Sequence, residues 1–198
     1  ITRRLGDLRR GEQHLSEAVN LYRKEGDEKS RIRALVALSS VQSELESFSP
    51  SLKSLEEAAA LCASTGDVPG EALVLGQMGI AYAAQDQYTR ALTHYEKALA
   101  AHRELGNRKG EAAMLSNIGN IHYFRGDLDE ALSAYEGALS INREEEHPIG
   151  IATSLGNLGR LNLEKRDLSL ARDQLTEARD IFKEAGAQAQ LETVRGTL

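Results

Sequence analysis

Residues 75–98 read LGQMGIAYAAQDQYTRALTHYEKA, residues 115–138 read LSNIGNIHYFRGDLDEALSAYEGA, and residues 155–178 read LGNLGRLNLEKRDLSLARDQLTEA. Laid over one another at a spacing of 40, they share Gly79, Gly119 and Gly159, then Ala91, Ala131 and Ala171. Four residues further on stand Tyr95, Tyr135 and Leu175. Stepping back by the same interval gives Ser39, Ser51 and Leu55, and then Gly11 and Leu15, so the match fades toward the N-terminus but keeps its phase. Two columns persist through five copies: Ala18, Ala58, Ala98, Ala138 and Ala178, and the apolar set Leu8, Phe48, Tyr88, Leu128 and Leu168. A fixed period of this length is the mark of a repeat architecture, and it must be recognised before any element is assigned.

Within each period the apolar residues recur at helical intervals, as in Leu128, Ala131, Leu132, Tyr135 and Ala138. Each period therefore encodes two helices. In the copy that opens at residue 68 the spacing predicts a first helix from about Glu71 to Ala84 and a second from about Tyr88 to Leu105. The turn between them is Gln85 to Gln87, and equivalent turns are expected at Gly6-Asp7, Gly126-Asp127 and Arg166-Asp167. Gly26, Gly66, Gly106 and Gly186 recur in phase where a helix should stop, broken only by Glu146. Glycine is favoured there because the left-handed conformation of a helix C-terminus carries a steric cost for other residues. Asp127 followed by Glu130 has the spacing of a capping box. Pro69 and Pro148 fall where a first helix is about to begin, and Pro50 in the first turn of a second helix, where a missing N–H is tolerated.

The small columns explain how such hairpins stack. Helices approach closely only where side chains are small, and Gly79 and Ala98 supply those points, while Leu75, Met78, Tyr82, Leu92 and Tyr95 fill the space between. One hairpin cannot bury its apolar face alone, so stability comes from its neighbours.

Composition narrows the alternatives. With 198 residues, 41% hydrophobic and 27% charged, the chain lies outside the weakly hydrophobic, highly charged regime in which chains stay disordered. No apolar run reaches the roughly 18 to 20 residues of a membrane helix, and no apolar stretch follows the basic start to form a signal peptide, so no membrane role is expected. The single cysteine, Cys62, cannot form an internal disulfide, which suits a cytoplasmic location. A chain opening on Ile1 is expected to be an excerpt of a longer protein.

Leu75, Met78, Gly79 and Tyr82 followed by Ala91, Tyr95 and Ala98, and Leu115, Ile118 and Gly119 followed by Ala131, Tyr135 and Ala138, resemble a tetratricopeptide repeat array. The 40-residue period and the phrases at Ser116 to Asn120 and Gly156 to Arg160 are most similar to the longer repeats of the LGN/Pins and rapsyn scaffolds, and to those of bacterial regulators and multidomain ATPases. The pattern departs from the family in having no Trp, in placing His122 and Asn162 where Tyr82 stands, and in lacking a proline near the end of the second helix. The resemblance implies an all-α, right-handed solenoid of stacked antiparallel helical hairpins: four hairpins plus partial terminal helices. A single array over 1–198 divides into repeats at 1–27 (partial), 28–67, 68–107, 108–147, 148–187 and 188–198 (partial), the last acting as a capping helix.

In such arrays the first helices line a concave inner surface. Helical spacing then selects the stripe turned away from the packing face: Leu73, Gln77, Ile80 and Ala84 in one copy, and Ala113, Asn117, Asn120 and Phe124 in the next. Flanking copies contribute Thr153, Asn157, Arg160 and Glu164, and Arg33, Ala37, Ser40 and Glu44. The amides of Gln77, Asn117, Asn120 and Asn157 can donate to and accept from the backbone of a bound peptide, as asparagines do in the resembling scaffolds, or they can brace neighbouring helices. Arg33 and Arg160 can clamp a ligand carboxylate with bidentate geometry, or pair with Glu44 and Glu164. One of Tyr123 and Phe124 must pack in the core, and the exposed one is an apolar anchor. The candidate peptide-binding set is therefore Arg33, Gln77, Ile80, Asn117, Asn120, Phe124, Asn157 and Arg160.

Catalytic and metal chemistry find no constellation. His14, His94, His102, His122 and His147 are scattered without metal-ligand spacing, so neither a metal nor another cofactor is expected. Cys62 and His102 share one repeat column with Tyr22, Asn142 and Phe182, which marks them as packing residues. Gly76 to Gly79 and Gly156 to Gly159 lie inside helices whose N–H groups are already used, so they form no phosphate loop. The cluster Arg3, Arg4, Arg9 and Arg10 is short and balanced by Asp7 and Glu12, which does not support nucleic acid as a partner. Residues 111–150 hold two basic and eight acidic residues, a solvated face or one suited to basic partner segments. The expected function is non-enzymatic: a protein–protein interaction scaffold holding a partner's peptide segment in its groove. The alternatives are a ligand- or peptide-sensing module of a larger regulator or ATPase, or a structural spacer, with weak self-association through the array ends.

Overall fold

The computed structural model describes residues 2–196, and among these every regular element is an α-helix. Ile1, Thr197 and Leu198, the outermost residues of the two partial repeats, lie outside the described residues. The helices are α1 (Thr2–Glu25), α2 (Glu28–Glu44), α3 (Phe48–Thr65), α4 (Val68–Ala83), α5 (Tyr88–Glu104), α6 (Arg108–Arg125), α7 (Leu128–Glu144), α8 (Pro148–Glu164), α9 (Leu168–Glu184) and α10 (Gln188–Arg195). The first residues of α2, α4, α6, α8 and α10 are 40 apart, as are those of α3, α5, α7 and α9. The Phe48, Tyr88, Leu128 and Leu168 column thus opens each second helix. First helices begin about one turn earlier than the apolar spacing predicts, at Val68 instead of Glu71, because the cap and not the first core residue sets the start.

Three of these starts are capped alike. The side chains of Asp27, Asp67 and Asn107 accept from the backbone N–H of Ser30, Gly70 and Gly110, at 3.0, 3.1 and 3.0 Å. Asp167 does the same for Leu170. The capping box expected at Asp127 does not form: that carboxylate makes no cap bond and instead meets Nδ1 of His122 at 3.4 Å and Nε of Arg125 at 3.2 Å. A ring nitrogen and a guanidinium from the end of the preceding helix outcompete one backbone donor.

Turns show a second series that the glycines conceal. Between repeats, Gly26, Gly66, Gly106 and Gly186 adopt positive φ of 72, 67, 63 and 68°, and Glu146 follows them at 48° despite its side chain. Between the arms of each hairpin, Glu46, Asp86, Gly126 and Arg166 do likewise. Only one of these four is glycine, so residue type does not mark the series. Gly6 stands in phase with it, yet no turn forms at Gly6-Asp7, and α1 runs unbroken from Thr2 to Glu25. A turn is imposed where a helix must fold back onto a partner. Around Gly6 the helix propensities of the flanking Arg and Leu prevail.

The helices form two compact units, residues 1–105 and 106–198. In the first, α1 packs on α2, α2 on α3 and α4, and α4 on α5. Its core gathers Ile32, Leu35, Leu38, Leu55, Ala58, Cys62 and Val74. Ser39 and Ser51 replace the usual glycine and alanine at the α2/α3 crossing. Both are fully buried, and both hydroxyls are satisfied, donating to the carbonyls of Val36 and Ser39 at 2.8 and 3.0 Å. Glu57 on α3 accepts from Arg23 of α1 and from Arg31 of α2, tying three helices, and these bonds hold its carboxyl below the ordinary range against the opposing effect of burial.

In the second unit α6 packs on α7 and α8, α7 on α8, α8 on α9, and α9 on α10. The core is Tyr135, Leu155, Leu158, Leu161, Leu175, Phe182, Leu191 and Val194. Gly119 and Gly159 admit the side chains of Tyr135 and Leu175 so closely that a Cβ on either glycine would lie 2.6 Å from its neighbour. The Ala98, Ala138 and Ala178 column is fully buried, as small residues at helix crossings must be.

Candidate functional site

Arg33, Gln77 and Ile80 belong to the first unit; Asn117, Asn120, Phe124, Asn157 and Arg160 belong to the second. In the first unit the stripes of α2 and α4 adjoin, since Nε2 of Gln77 donates to Oγ of Ser40 at 2.9 Å. Gln77 is therefore a brace between helices. Ile80 is 40% exposed and Leu73 45%, which leaves an apolar stripe along α4. Arg33 is exposed beside Leu73 in a depression of about 270 Å³ that also takes in Lys29 and Pro69. It does not pair with Glu44, whose carboxylate is bonded to Arg4 at 3.1 Å.

The second unit carries the denser arrangement. Tyr123 is half-buried against the core, and its hydroxyl donates to Glu164 at 3.3 Å. Phe124 is 64% exposed and meets the Tyr123 ring edge-on at 5.9 Å. Of the two neighbouring aromatics, Phe124 is thus the outward one. Arg160 donates through Nη2 to Oδ1 of Asn157 at 2.8 Å, and its guanidinium carbon stands 5.9 Å from the Tyr123 ring centre. A cation near an aromatic face gains from the ring quadrupole. Glu164, the anticipated partner of Arg160, is engaged by Tyr123, and Arg160 forms no ion pair among the described residues. Burial raises the Tyr123 hydroxyl above its ordinary pKa, with Glu164 adding to the shift, so the phenol stays protonated and remains a donor.

The asparagines divide. Asn120 accepts the hydroxyl of buried Tyr135 at 2.8 Å, and burial pushes that phenol up to about 12. It is a structural partner of the core. Asn157 orients Arg160. Asn117 makes no hydrogen bond among the described residues and lines a depression of about 260 Å³ with Ser116, Thr153 and His147, free to serve a ligand.

A third feature was not legible from the helical stripe. Between α8, α9 and α10 lies a cleft of about 160 Å³. Leu175, Phe182 and Val194 wall it, Gly156 leaves it open on the α8 side, and Asn157, Arg160, Gln190 and Thr193 supply its polar lining. The sequence signal was Gly156, a glycine in mid-helix where the copy at residue 36 has Val36. The α10 residues escaped notice because that segment reads only as a cap. Donors, a cation, an exposed aromatic and an apolar cleft are tools for binding. Among the described residues no group of three or more His, Cys, Asp or Glu is placed to hold a metal ion, and no helix is long and apolar enough to cross a membrane.

The sequence profile of the tetratricopeptide repeat matches residues 70–144 and 110–184, together more than half of the chain. Comparison with curated proteins gives no match. Among solved structures the fold is similar to NprR in complex with its cognate peptide NprX, with a TM-score of 0.79 and 16% identity over 98% of this chain and 56% of that one. It is similar to Bacillus thuringiensis PlcR in complex with the peptide PapR7 and DNA, with a TM-score of 0.78 and 13% identity over 97% of this chain and 74% of the other. A Pyrococcus horikoshii signal transduction ATPase with numerous domains, which carries a tetratricopeptide repeat sensor, gives 0.74 and 16% over 84% of this chain and 26% of its own. At these identities the likeness is one of fold.

Proposed function

The chain belongs to the tetratricopeptide repeat family, and on that footing we propose that it is a non-enzymatic interaction module whose first helices hold a peptide segment of a partner protein. The carrying observation is Arg160, a guanidinium held by Asn157 and Tyr123 with no carboxylate partner among the described residues, while the exposed Phe124 meets the same Tyr123 ring. A ligand carboxylate completes that cation, and an apolar ligand side chain covers the aromatic. Asn117 offers its free amide to the peptide backbone, while Arg33 and Ile80 are the corresponding contacts in the first unit. Gln77 and Asn120 belong to the proposed surface chiefly as braces. Helices already in place avoid an ordering cost on the protein side, so the entropy lost on binding falls mostly on the ligand. No cofactor enters this recognition. The setting that suits the single reduced Cys62 is cytoplasmic. Support also comes from NprR and PlcR, which carry a peptide in the structures similar to this one.

A regulatory variant of the reading is favoured by the likeness to an ATPase with a tetratricopeptide repeat sensor, where such a module is one part of a longer chain. Affinity capture from the source lysate tests the main reading. The wild-type chain should retain a partner that Phe124→Ala and Arg160→Gln both lose while keeping the helical circular dichroism and melting temperature of the parent. A partner retained equally by all three would remove α6 and α8 from the binding surface.

A further inference from the structure

In the last turn of α2, α4 and α8 one side chain pairs with a side chain of the helix that follows. Gln42 accepts the hydroxyl of Ser54 at 3.0 Å, and Asn162 donates to Gln174 at 2.8 Å. In the α4/α5 hairpin the same two positions hold Tyr82 and His94, whose rings stack at 5.2 Å with 20° between their planes. Of these three pairs only that one can change its charge near neutral pH. Its surroundings disfavour the charged form. Nδ1 of His94 is buried and has no hydrogen-bond partner among the described residues. Arg90, one turn before it on α5, places its guanidinium carbon 5.6 Å from the centre of the same Tyr82 ring, and Lys97 stands one turn after it. Like charges at these helical spacings repel. The acids of α5 do not compensate them, since Glu96 points to the opposite side of the helix and Glu104 lies nearly three turns away. α4, the helix packed on α5 in this unit, brings Glu71 as its one charged residue, in its first turn, whereas Tyr82 lies in its last. Between the two helices Asp86 is engaged by the hydroxyl of Tyr88 at 2.8 Å. His122, which takes the Tyr82 position in the α6/α7 hairpin, is the opposite case: Asp127 lies 3.4 Å from its Nδ1, so a proton there is compensated.

A neutral imidazole packs on Tyr82 as an uncharged ring and closes the hairpin. A proton turns the buried nitrogen into a donor without an acceptor and adds a third positive charge to the run Arg90, His94, Lys97. We propose that the Tyr82–His94 pair is a proton-operated latch: neutral, it holds the last turn of α4 against α5, and protonated, it releases that end of the hairpin while the rest of the unit stays folded. The opening stops at the next crossing, where the ring of Tyr95 fills the place of a Cβ on Gly79. What it loosens is the end of α4 that carries the exposed Ile80 and, five residues before Tyr82, the Gln77 brace to Ser40. Burial, with Lys97 adding to it, holds the imidazole below its ordinary 6.5 in the closed hairpin. Opening restores the ordinary value, so closure is fully present above pH 6.5 and is lost as pH falls through the closed-state value. The latch is independent of what the array binds.

The test is amide hydrogen exchange of the purified 198-residue chain at about pH 7.5 and about pH 5.5, read by mass spectrometry after correction for the intrinsic pH dependence of exchange. Acidification is expected to cost the segment 80–94 severalfold in protection while α2 and α3 keep theirs. His94→Gln, which supplies the side chain found at Gln174, should abolish the acid-dependent loss. His102→Asn, which supplies the side chain found at Asn142 and lies toward the other end of α5, should preserve it. Arg90→Gln and Lys97→Gln leave the imidazole in place. Each should raise the midpoint of the His94 C2–H resonance titration and shrink the loss at acid pH. A loss spread evenly over α2 to α5 overturns the latch, and so does a loss that survives His94→Gln or a midpoint indifferent to both cations. If His94→Gln folds poorly, the Arg90 and Lys97 variants decide alone.

Discussion

The backbone of Gly119 lies against the ring of Tyr135, so that a Cβ on residue 119 would stand 2.6 Å from Cε1 and 2.7 Å from Cδ1. That ring is 1% exposed and cannot swing into solvent. Gly119→Ala should therefore overpack the α6/α7 crossing and cost about 1–3 kcal/mol, read as a lower melting temperature. Gly156→Ala is the control, since its Cβ meets only ordinary contact at 3.7 Å. It should be neutral or stabilising by up to about 1 kcal/mol, the helix propensity difference between the two residues. Equal effects at both positions would reject the close approach at Gly119.

Neighbouring groove asparagines should separate by experiment. Asn120→Ala leaves the buried Tyr135 hydroxyl without its acceptor and should destabilise by about 1–3 kcal/mol. Asn117→Ala, with no hydrogen bond among the described residues to lose, should leave the melting temperature within about 0.5 kcal/mol of wild type. Thermal denaturation of the two variants side by side decides the matter.

Acid should weaken the fold before any carboxylate titrates. His94 stacks on Tyr82 at 5.2 Å with Nδ1 buried and unpartnered, and burial, helped by Lys97, holds its pKa below the ordinary 6.5. Burial does the same to His102. The unfolded chain therefore takes up these protons first, and stability present above pH 6.5 is lost as pH falls through the native values. The shifted carboxylates, Asp27, Glu57, Asp129 and Glu144, all lie below their ordinary values and act at lower pH. Melting temperature should decline between pH 7 and pH 5, and His94→Gln, which borrows the residue found at the equivalent Gln174, should flatten that decline. An unchanged slope would show that His94 is not the group responsible.

Cys62 is 2% exposed, and burial, with Asp67 and Glu71 nearby, pushes its thiol up to about 11. The thiolate is the reactive form. Iodoacetamide at pH 8 should label the native chain at least tenfold more slowly than the chain in urea, a ratio set by how rarely the core opens. Rapid labelling of the native protein would place Cys62 at the surface.

The phase of α2 to α10 was legible in the sequence, because a 40-residue period aligns Gly79, Gly119 and Gly159 with the bulky residues they admit. Helical periodicity is local, and it survives in a string of letters. So too was the division of Tyr123 and Phe124 into one inward and one outward ring. Hidden from it were the capping failure at Asp127, the left-handed Glu46, Asp86 and Arg166, and the cleft beside Arg160. Each depends on which side chains from separate helices arrive within bonding distance.

By itself, then, the sequence determined an all-helical fold of repeated hairpins, the residues that let those hairpins stack, and the stripes turned away from the core. Tertiary structure decided that Gly6 stays helical while Arg166 bends, and that Gln77 and Asn120 brace while, among the described residues, Asn117 has no hydrogen-bond partner and Arg160 no ion pair. The physical reason is the same throughout. Spacing along a helix specifies the direction of a side chain, but its partner is specified by what the neighbouring helix brings within about 3 Å.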